Sequence, residues 1–369
     1  MPSAPEFSSD ACPYDAILLV SFGGPEGPDD VIPFLQNVTA GRNIPVERLA
    51  EVGEQYAHFG GVSPINDQCR RQQQTLRNAL VTAGLDLPVY WGNRNWDPFI
   101  VDAVEQMTQD GIGRALAVFT SAYSSYSGCR QYRENLIAAR EEVAARRPEL
   151  TVPAIDKVRA YYDHPGFIGP FVAATMAALE AHETDPVLMF TAHSIPNSMA
   201  AACDYQSQLA VAAELVTAGV NRRRDNNEPL SHQLVWQSRS GPPQVPWLEP
   251  DINDALVSIA SDGVTNAVIV PVGFVSDHME VMWDLDTQAA ETAEVNGVML
   301  SRAVAPGTAP EPEFIDMWVD LIIERCLAET IADPSTVDRK ALGSLPVRPD
   351  VCRVDCCPAP TRPTRPGVS

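Results

Sequence analysis

The sequence predicts an α/β fold of two lobes, each a parallel sheet flanked by helices, with a cleft between them. Three observations lead to this. Short apolar runs alternate with stretches of helical periodicity. Two strand ends repeat one another, Ile17-Leu-Leu-Val-Ser-Phe-Gly-Gly-Pro and Val187-Leu-Met-Phe-Thr-Ala-His-Ser-Ile-Pro, as if two similar lobes each began this way. The chain has 369 residues, 45% of them hydrophobic, which suffices for two cores of ordinary size.

Strands are expected at Ala16 to Ser21, Val89 to Trp91, Ala115 to Thr120, Val187 to Thr191, Leu234 to Gln237 and Ala267 to Val272. Runs without polar alternation are covered on both faces, the mark of parallel sheets in α/β proteins. Helices are expected at Asp29 to Thr39, Gln68 to Thr82, Gln131 to Ala145, Phe167 to Ala181, Met199 to Ala218 and Glu313 to Thr330. Pro28 after Gly27 suits a first helical turn, whose first N–H has no intrahelical acceptor to lose. A boundary near Pro148 to Pro153 divides the chain into lobes 14–150 and 151–330. Residues 331–369 form a tail with a different composition, and Pro346 to Ser369 holds six prolines and three cysteines.

The net charge of −22, with basic residues scattered rather than striped, repels phosphate backbones and anionic lipid, so nucleic acid is excluded as a partner. No run approaches the roughly 18 apolar residues that a membrane-spanning helix needs. Met1 to Pro13 has neither the basic start nor the apolar centre of a signal peptide. A cytoplasmic monomer is the expectation. There the eight cysteines are read as reduced thiols or metal ligands rather than a disulfide framework.

Several strand ends carry chemistry. Ile269-Val-Pro-Val-Gly-Phe-Val-Ser-Asp-His-Met-Glu-Val-Met-Trp-Asp runs from a strand into an acidic helix, with Glu280 and Asp284 at i and i+4. Like charges so placed cost an isolated helix roughly 0.2–0.5 kcal/mol, so a cation or a proton relay should compensate. The competing reading is a capping box, Asp277 to Glu280, satisfying first-turn donors. His193 also follows a strand directly. Only histidine has an ordinary pKa that makes it both proton acceptor and metal ligand near neutrality, although a hydrogen-bonded strand-end histidine is the plainer alternative.

The segments Phe59-Gly-Gly-Val-Ser-Pro, with Ser63, and Tyr123-Ser-Ser-Tyr-Ser-Gly-Cys-Arg-Gln-Tyr, with Tyr132, are either loops or donors to a flat aromatic ligand, with Arg42 nearby in sequence. The loop Gln237 to Pro250, stiffened by proline and carrying Trp247, is either a cleft wall or a rigid connector. Cys129, Cys352, Cys356 and Cys357 are four thiols able to hold an iron–sulfur cluster or zinc, or else free thiols. The C-x3-C-C spacing matches no standard pattern.

Together, Leu18-Leu-Val-Ser-Phe-Gly-Gly-Pro, Gly60-Gly-Val-Ser-Pro, Thr191-Ala-His-Ser-Ile-Pro and Gly273-Phe-Val-Ser-Asp-His-Met-Glu resemble the ferrochelatases, in order over residues 14 to 330. More narrowly, they are similar to the bacterial coproporphyrin-dependent branch. The resemblance implies two Rossmann-like, chelatase-type lobes and insertion of ferrous iron, as substrate, into coproporphyrin III. Neighbouring readings are insertion into protoporphyrin IX, a cobalt chelatase, and a non-catalytic tetrapyrrole carrier. It implies His193 and Glu280 as the paired iron-site residues, Asp284 as the continuation of an acidic path, and Ser63 and Tyr132 as porphyrin contacts. The tail resembles that of actinobacterial members with a [2Fe-2S] cluster, making Cys129, Cys352, Cys356 and Cys357 the candidate ligands. Two positions depart from the pattern: Phe22 stands where several relatives carry a ligating tyrosine, and Gln288 where some carry an acid.

Overall fold

Apolar runs settle as strands where both of their faces are covered, and Ala16–Ser21 (β1) is buried at all six positions. The computed structural model describes residues 12–41, 45–224, 228–241 and 244–360. In it β1 is flanked by parallel partners Val89–Asn93 (β2) and Arg114–Phe119 (β3), and Ala154–Lys157 (β4) pairs with β3. A second parallel sheet is built from Val187–His193 (β5), His232–Gln237 (β6), Asn266–Val270 (β7) and Met299–Arg302 (β8). The two sheets have the same strand order, β2-β1-β3-β4 and β6-β5-β7-β8, so the repeated strand ends mark the same central strand of two equivalent sheets. β4 lies beyond residue 150, so the first sheet extends past the expected boundary.

Helices cover both faces. Ile65–Thr82, Gln131–Arg146, Pro165–Leu179 and Pro312–Thr330 overlap the expected spans, while Met199 to Ala218 is broken into Asn197–Ala200 and Tyr205–Arg223. The terminal helix Pro312–Thr330 packs on Ile65–Thr82 and on Pro165–Leu179, so the end of the chain returns to the first lobe. Buried hydrogen bonds join the lobes beneath the cleft. Gln68 and Gln72 donate to the Asp277 carbonyl (2.8 Å) and to Ser276 Oγ (2.8 Å), and Tyr123 Oη donates to the Val272 carbonyl (2.8 Å).

The expectation of reduced thiols is corrected at one pair. Cys12, just before β1, and Cys326, on the terminal helix, form a disulfide with Cα atoms 4.9 Å apart at a sequence separation of 314. Spacing along the chain cannot show this pairing, because it arises only when the last helix folds back on the first lobe. The other described cysteines are free thiols. Closing so long a loop removes denatured-state entropy worth roughly 5–6 kcal/mol in the chain-entropy account. Reductant should therefore lower the thermal midpoint and expose two further thiols to an alkylating reagent; an unchanged midpoint and thiol count would dismiss the bond.

The tail is fixed by charge. Arg159, almost wholly buried, donates from Nε and Nη2 to the Glu324 carboxylate at 2.7 and 3.0 Å, and from Nη2 to the Lys340 carbonyl. Arg339 bridges Glu324 and Asp350, and Arg348 pairs with Asp204. Ion pairs of this kind hold a proline-rich segment that has no periodic apolar face. Among the described residues no helix is long and apolar enough to cross a membrane.

Candidate active site

Five segments at the carboxyl ends of strands meet at the cleft, the usual ligand position in open α/β sheets. They are Phe22 after β1, Arg94 after β2, His193 ending β5, Ser238 after β6 and the segment 271–284 after β7. Gly273 brings the last of these close to β5. A Cβ there would stand 2.4 Å from the Ala192 Cβ, and its N–H donates to the Thr191 carbonyl, so a side chain would push the segment away from His193.

His193 is oriented by its backbone surroundings. Nδ1 lies 2.6 Å from the Ser194 carbonyl oxygen and donates to it. In the neutral ring this puts the proton on Nδ1 and makes Nε2 the acceptor. Nε2 stands 3.8 Å from Glu280 Oε1. Ligands bonded to one divalent ion at about 2 Å each, the distance typical of nitrogen and oxygen on zinc, stand roughly 3–4 Å apart. The pair is thus spaced to share one ion, and is too far apart for a direct hydrogen bond.

The acidic segment is not a capping box. The Asp277 carboxylate receives Arg302 Nη1 at 2.9 Å and the Ala305 N–H at 3.3 Å, and the short helix Met279–Val281 is capped instead by His278, whose Nδ1 accepts from Val281 N–H. Glu280 is therefore left to face the cleft. The following turns, Met282–Ala289, are π-helical, a rare geometry found mostly at functional sites. They carry Asp284, whose Oδ2 accepts from Ser238 Oγ and from Gln237 Nε2 (3.3 Å). The exposed Gln288 lies in the same turns.

Cleft walls surround Glu280 even though 43% of its side-chain surface is open to water within the cleft. This enclosure pushes its carboxyl up, and Asp284 is pushed up by burial and by the Glu280 charge. His278, missed by the sequence reading, is held down to about 4 by burial and by His193. Across the cleft, Met279 and Trp283 pack into a first-lobe cluster of Phe34, Tyr56, Phe22 and Phe59.

The sequence model of the ferrochelatase family matches residues 14–326. The chain belongs to the ferrochelatase family. It is 49% identical over 365 residues to the coproporphyrin III ferrochelatase of Streptomyces griseus subsp. griseus, covering 95% of each chain. It is 48% identical over 353 residues to a ferrochelatase of Rhodopirellula baltica, again covering 95% of each. The coproporphyrin III ferrochelatase of Frankia alni is 49% identical over 362 residues, with 96% of this chain and 89% of that one covered.

Two residues expected as porphyrin contacts are buried in the first lobe. Tyr132 is only 4% exposed, stacked on Phe119 (5.1 Å) beneath the Arg94 guanidinium (4.6 Å). Ser63 is buried against Gly24, its N–H bonded to the Pro25 carbonyl. Both side chains are buried, Ser63 at 5% and Tyr132 at 4% exposure. Arg42 lies outside the described residues. Arg94 was missed: it stands over both Phe22 and Tyr132, bonds Asn135 Oδ1 (2.9 Å), and has no ion pair among the described residues. Its only sequence signal was its place directly after a strand.

The four cysteines singled out in the sequence meet behind the cleft. Cys129 lies in the π turn Tyr126–Arg130, and Arg130 holds the tail against it through the Val354 and Cys356 carbonyls at 3.0 and 3.1 Å. Thiol contacts run from Cys129 to Cys352, Cys352 to Cys356 and Cys356 to Cys357. Donation from Cys129 drives the Cys352 thiol down and that of Cys129 up, and Lys157 also favours the Cys352 thiolate. Among the described residues no group of three or more His, Cys, Asp or Glu side chains is arranged to hold a metal ion, so the thiols form a chain of contacts rather than a closed cage.

Proposed function

We propose that this protein inserts ferrous iron into coproporphyrin III, releasing the two pyrrole protons, with the His193–Glu280 pair as the reacting centre. The spacing of that pair at 3.8 Å carries the reading. Neutral His193 takes the two pyrrole protons in turn at Nε2, because its other nitrogen is committed to Ser194, and gives each to water in the open cleft. Glu280 and Asp284 are hard, exchangeable ligands that strip water from the incoming iron and deliver it. The first-lobe aromatic cluster holds the flat macrocycle, and Arg94 supplies a cation for a peripheral carboxylate. Binding energy from the ring periphery bends the macrocycle so that a nitrogen lone pair faces the metal. Phe22 offers no oxygen to the metal, so iron is handled from the second lobe. The relatives named for coproporphyrin III support that porphyrin as substrate.

The test is anaerobic turnover with ferrous iron on coproporphyrin III and on protoporphyrin IX, followed as loss of porphyrin fluorescence. Faster turnover on coproporphyrin is expected. Equal or faster turnover on protoporphyrin would move the substrate, and binding without metal insertion on either would overturn the enzyme.

A [2Fe-2S] cluster on Cys129, Cys352, Cys356 and Cys357 is the second part of the proposal. Its support is that the fold gathers these thiols from a loop and a tail more than 220 positions apart. Arg133, 3.8 Å from Cys356 Sγ, and Lys157 supply positive charge that favours thiolates. Bound there, the group would supply a one-electron centre. Protein purified anaerobically should be brown, and Cys352→Ala should abolish the colour. A colourless wild-type protein without iron or sulfide would remove the cluster while leaving the chelatase reading intact.

A further inference from the structure

Ser238 is one of two non-glycine residues among those described with positive φ, at 60°, a region that side chains bearing a Cβ rarely adopt. Such conformations persist where the surroundings over-determine them, and they gather at functional sites. Here the geometry has an evident effect. Consecutive strand residues point to opposite faces, yet Gln237, the last residue of β6, and Ser238, the next, both donate to the same oxygen, Asp284 Oδ2. The left-handed turn brings the second side chain round to the side of the first. Oδ1 of Asp284 is the oxygen these two donors do not occupy.

We propose that Ser238 is a positioning residue for iron delivery: its left-handed backbone aims its hydroxyl at Asp284 and fixes that carboxylate for the passage of iron to Glu280. The proposal rests on the reading of Asp284 given above. In this role Ser238 acts through Asp284, the carboxylate to which its hydroxyl donates. Its loss should therefore act on iron and not on the macrocycle.

Two substitutions separate the hydroxyl from the backbone. Ser238→Ala removes the hydroxyl and keeps the unfavourable φ; Ser238→Gly removes the hydroxyl and permits that φ. Both should lower kcat/KM for ferrous iron by about tenfold or more, the loss expected for one hydrogen bond to a charged group. The KM for porphyrin should not change, and the thermal midpoint of the glycine variant should equal or exceed that of the wild type. Wild-type iron kinetics in both variants would overturn the role, as would recovery in Ser238→Gly alone or a loss confined to porphyrin KM. If the wild-type protein inserts no iron into either porphyrin, the reading of the whole site fails first and Ser238 falls with it.

Discussion

Replacing His193 by alanine is expected to lower iron insertion by about 10²–10⁴-fold, the range for a positioned acid–base group, while porphyrin still binds. The imidazole is held by one backbone carbonyl on its Nδ1 side and faces Glu280 on its Nε2 side, so its removal takes away the proton acceptor without disturbing the aromatic cluster across the cleft. The Tyr205 hydroxyl, which donates to the His193 backbone carbonyl, keeps its partner in the variant. Single-turnover metal insertion together with a fluorescence titration measures the two effects separately. Turnover within a few-fold of wild type would reassign the proton acceptor, and lost porphyrin binding would make His193 a structural residue.

Glu280→Gln should lower maximal turnover by roughly a hundredfold, at the low end of the same range, and should also alter the pH profile. Burial raises the Glu280 carboxyl, and burial with the Glu280 charge raises Asp284, each to about 7. Iron needs the ionised forms. Wild-type activity should therefore rise with pH through about 7. In Glu280→Gln the like charge beside Asp284 is gone, so the remaining carboxyl ionises at lower pH and the acid limb moves down with it. Stability should respond in the opposite sense. A group whose folded pKa is raised contributes stability that is full below its unfolded pKa and lost as pH rises through the folded value. The site should thus loosen as pH rises from the ordinary carboxylate range to about 7, an interval that overlaps the lower part of the rise in activity. Activity profiles and thermal midpoints measured across pH 5 to 8.5 would check both signs; parallel rather than opposed trends would refute the account.

The parts of this arrangement that were legible in the sequence are those in which one local signal suffices. Runs such as Ile17 to Val20 are apolar at consecutive positions and break into glycine and proline, which reads as a buried strand, and the repeated strand ends pointed to two similar lobes. β4 and β8 were missed because edge strands such as Ala154–Lys157 are short and partly exposed, with charged residues among them. The helix Val46–His58 was not among the expected helices; it packs Leu49 and Tyr56 with Val31, Phe34 and Leu35 of the same lobe, and Met279 from the second lobe joins that cluster. The position of Glu280 and Asp284 one helical step apart was readable. Its meaning was not, since Asp277 could equally have been a cap until the structure showed Arg302 holding it. Tyr132 and Ser63 illustrate the converse: a motif identified the loops correctly, but which side chain of a loop faces a cleft depends on packing. The Cys12–Cys326 bond and the gathering of four distant thiols depend wholly on the return path of the chain.

The placement of all the proposed reacting residues on one lobe has a mechanical consequence. His193, Ser238, Glu280 and Asp284 all belong to the sheet centred on β5, whereas the aromatic wall belongs mostly to the sheet centred on β1. Because these four side chains are carried by one sheet, any shift of one lobe against the other would leave their mutual spacing untouched, and in the proposed reaction a bulky rigid guest could be admitted without retuning that spacing.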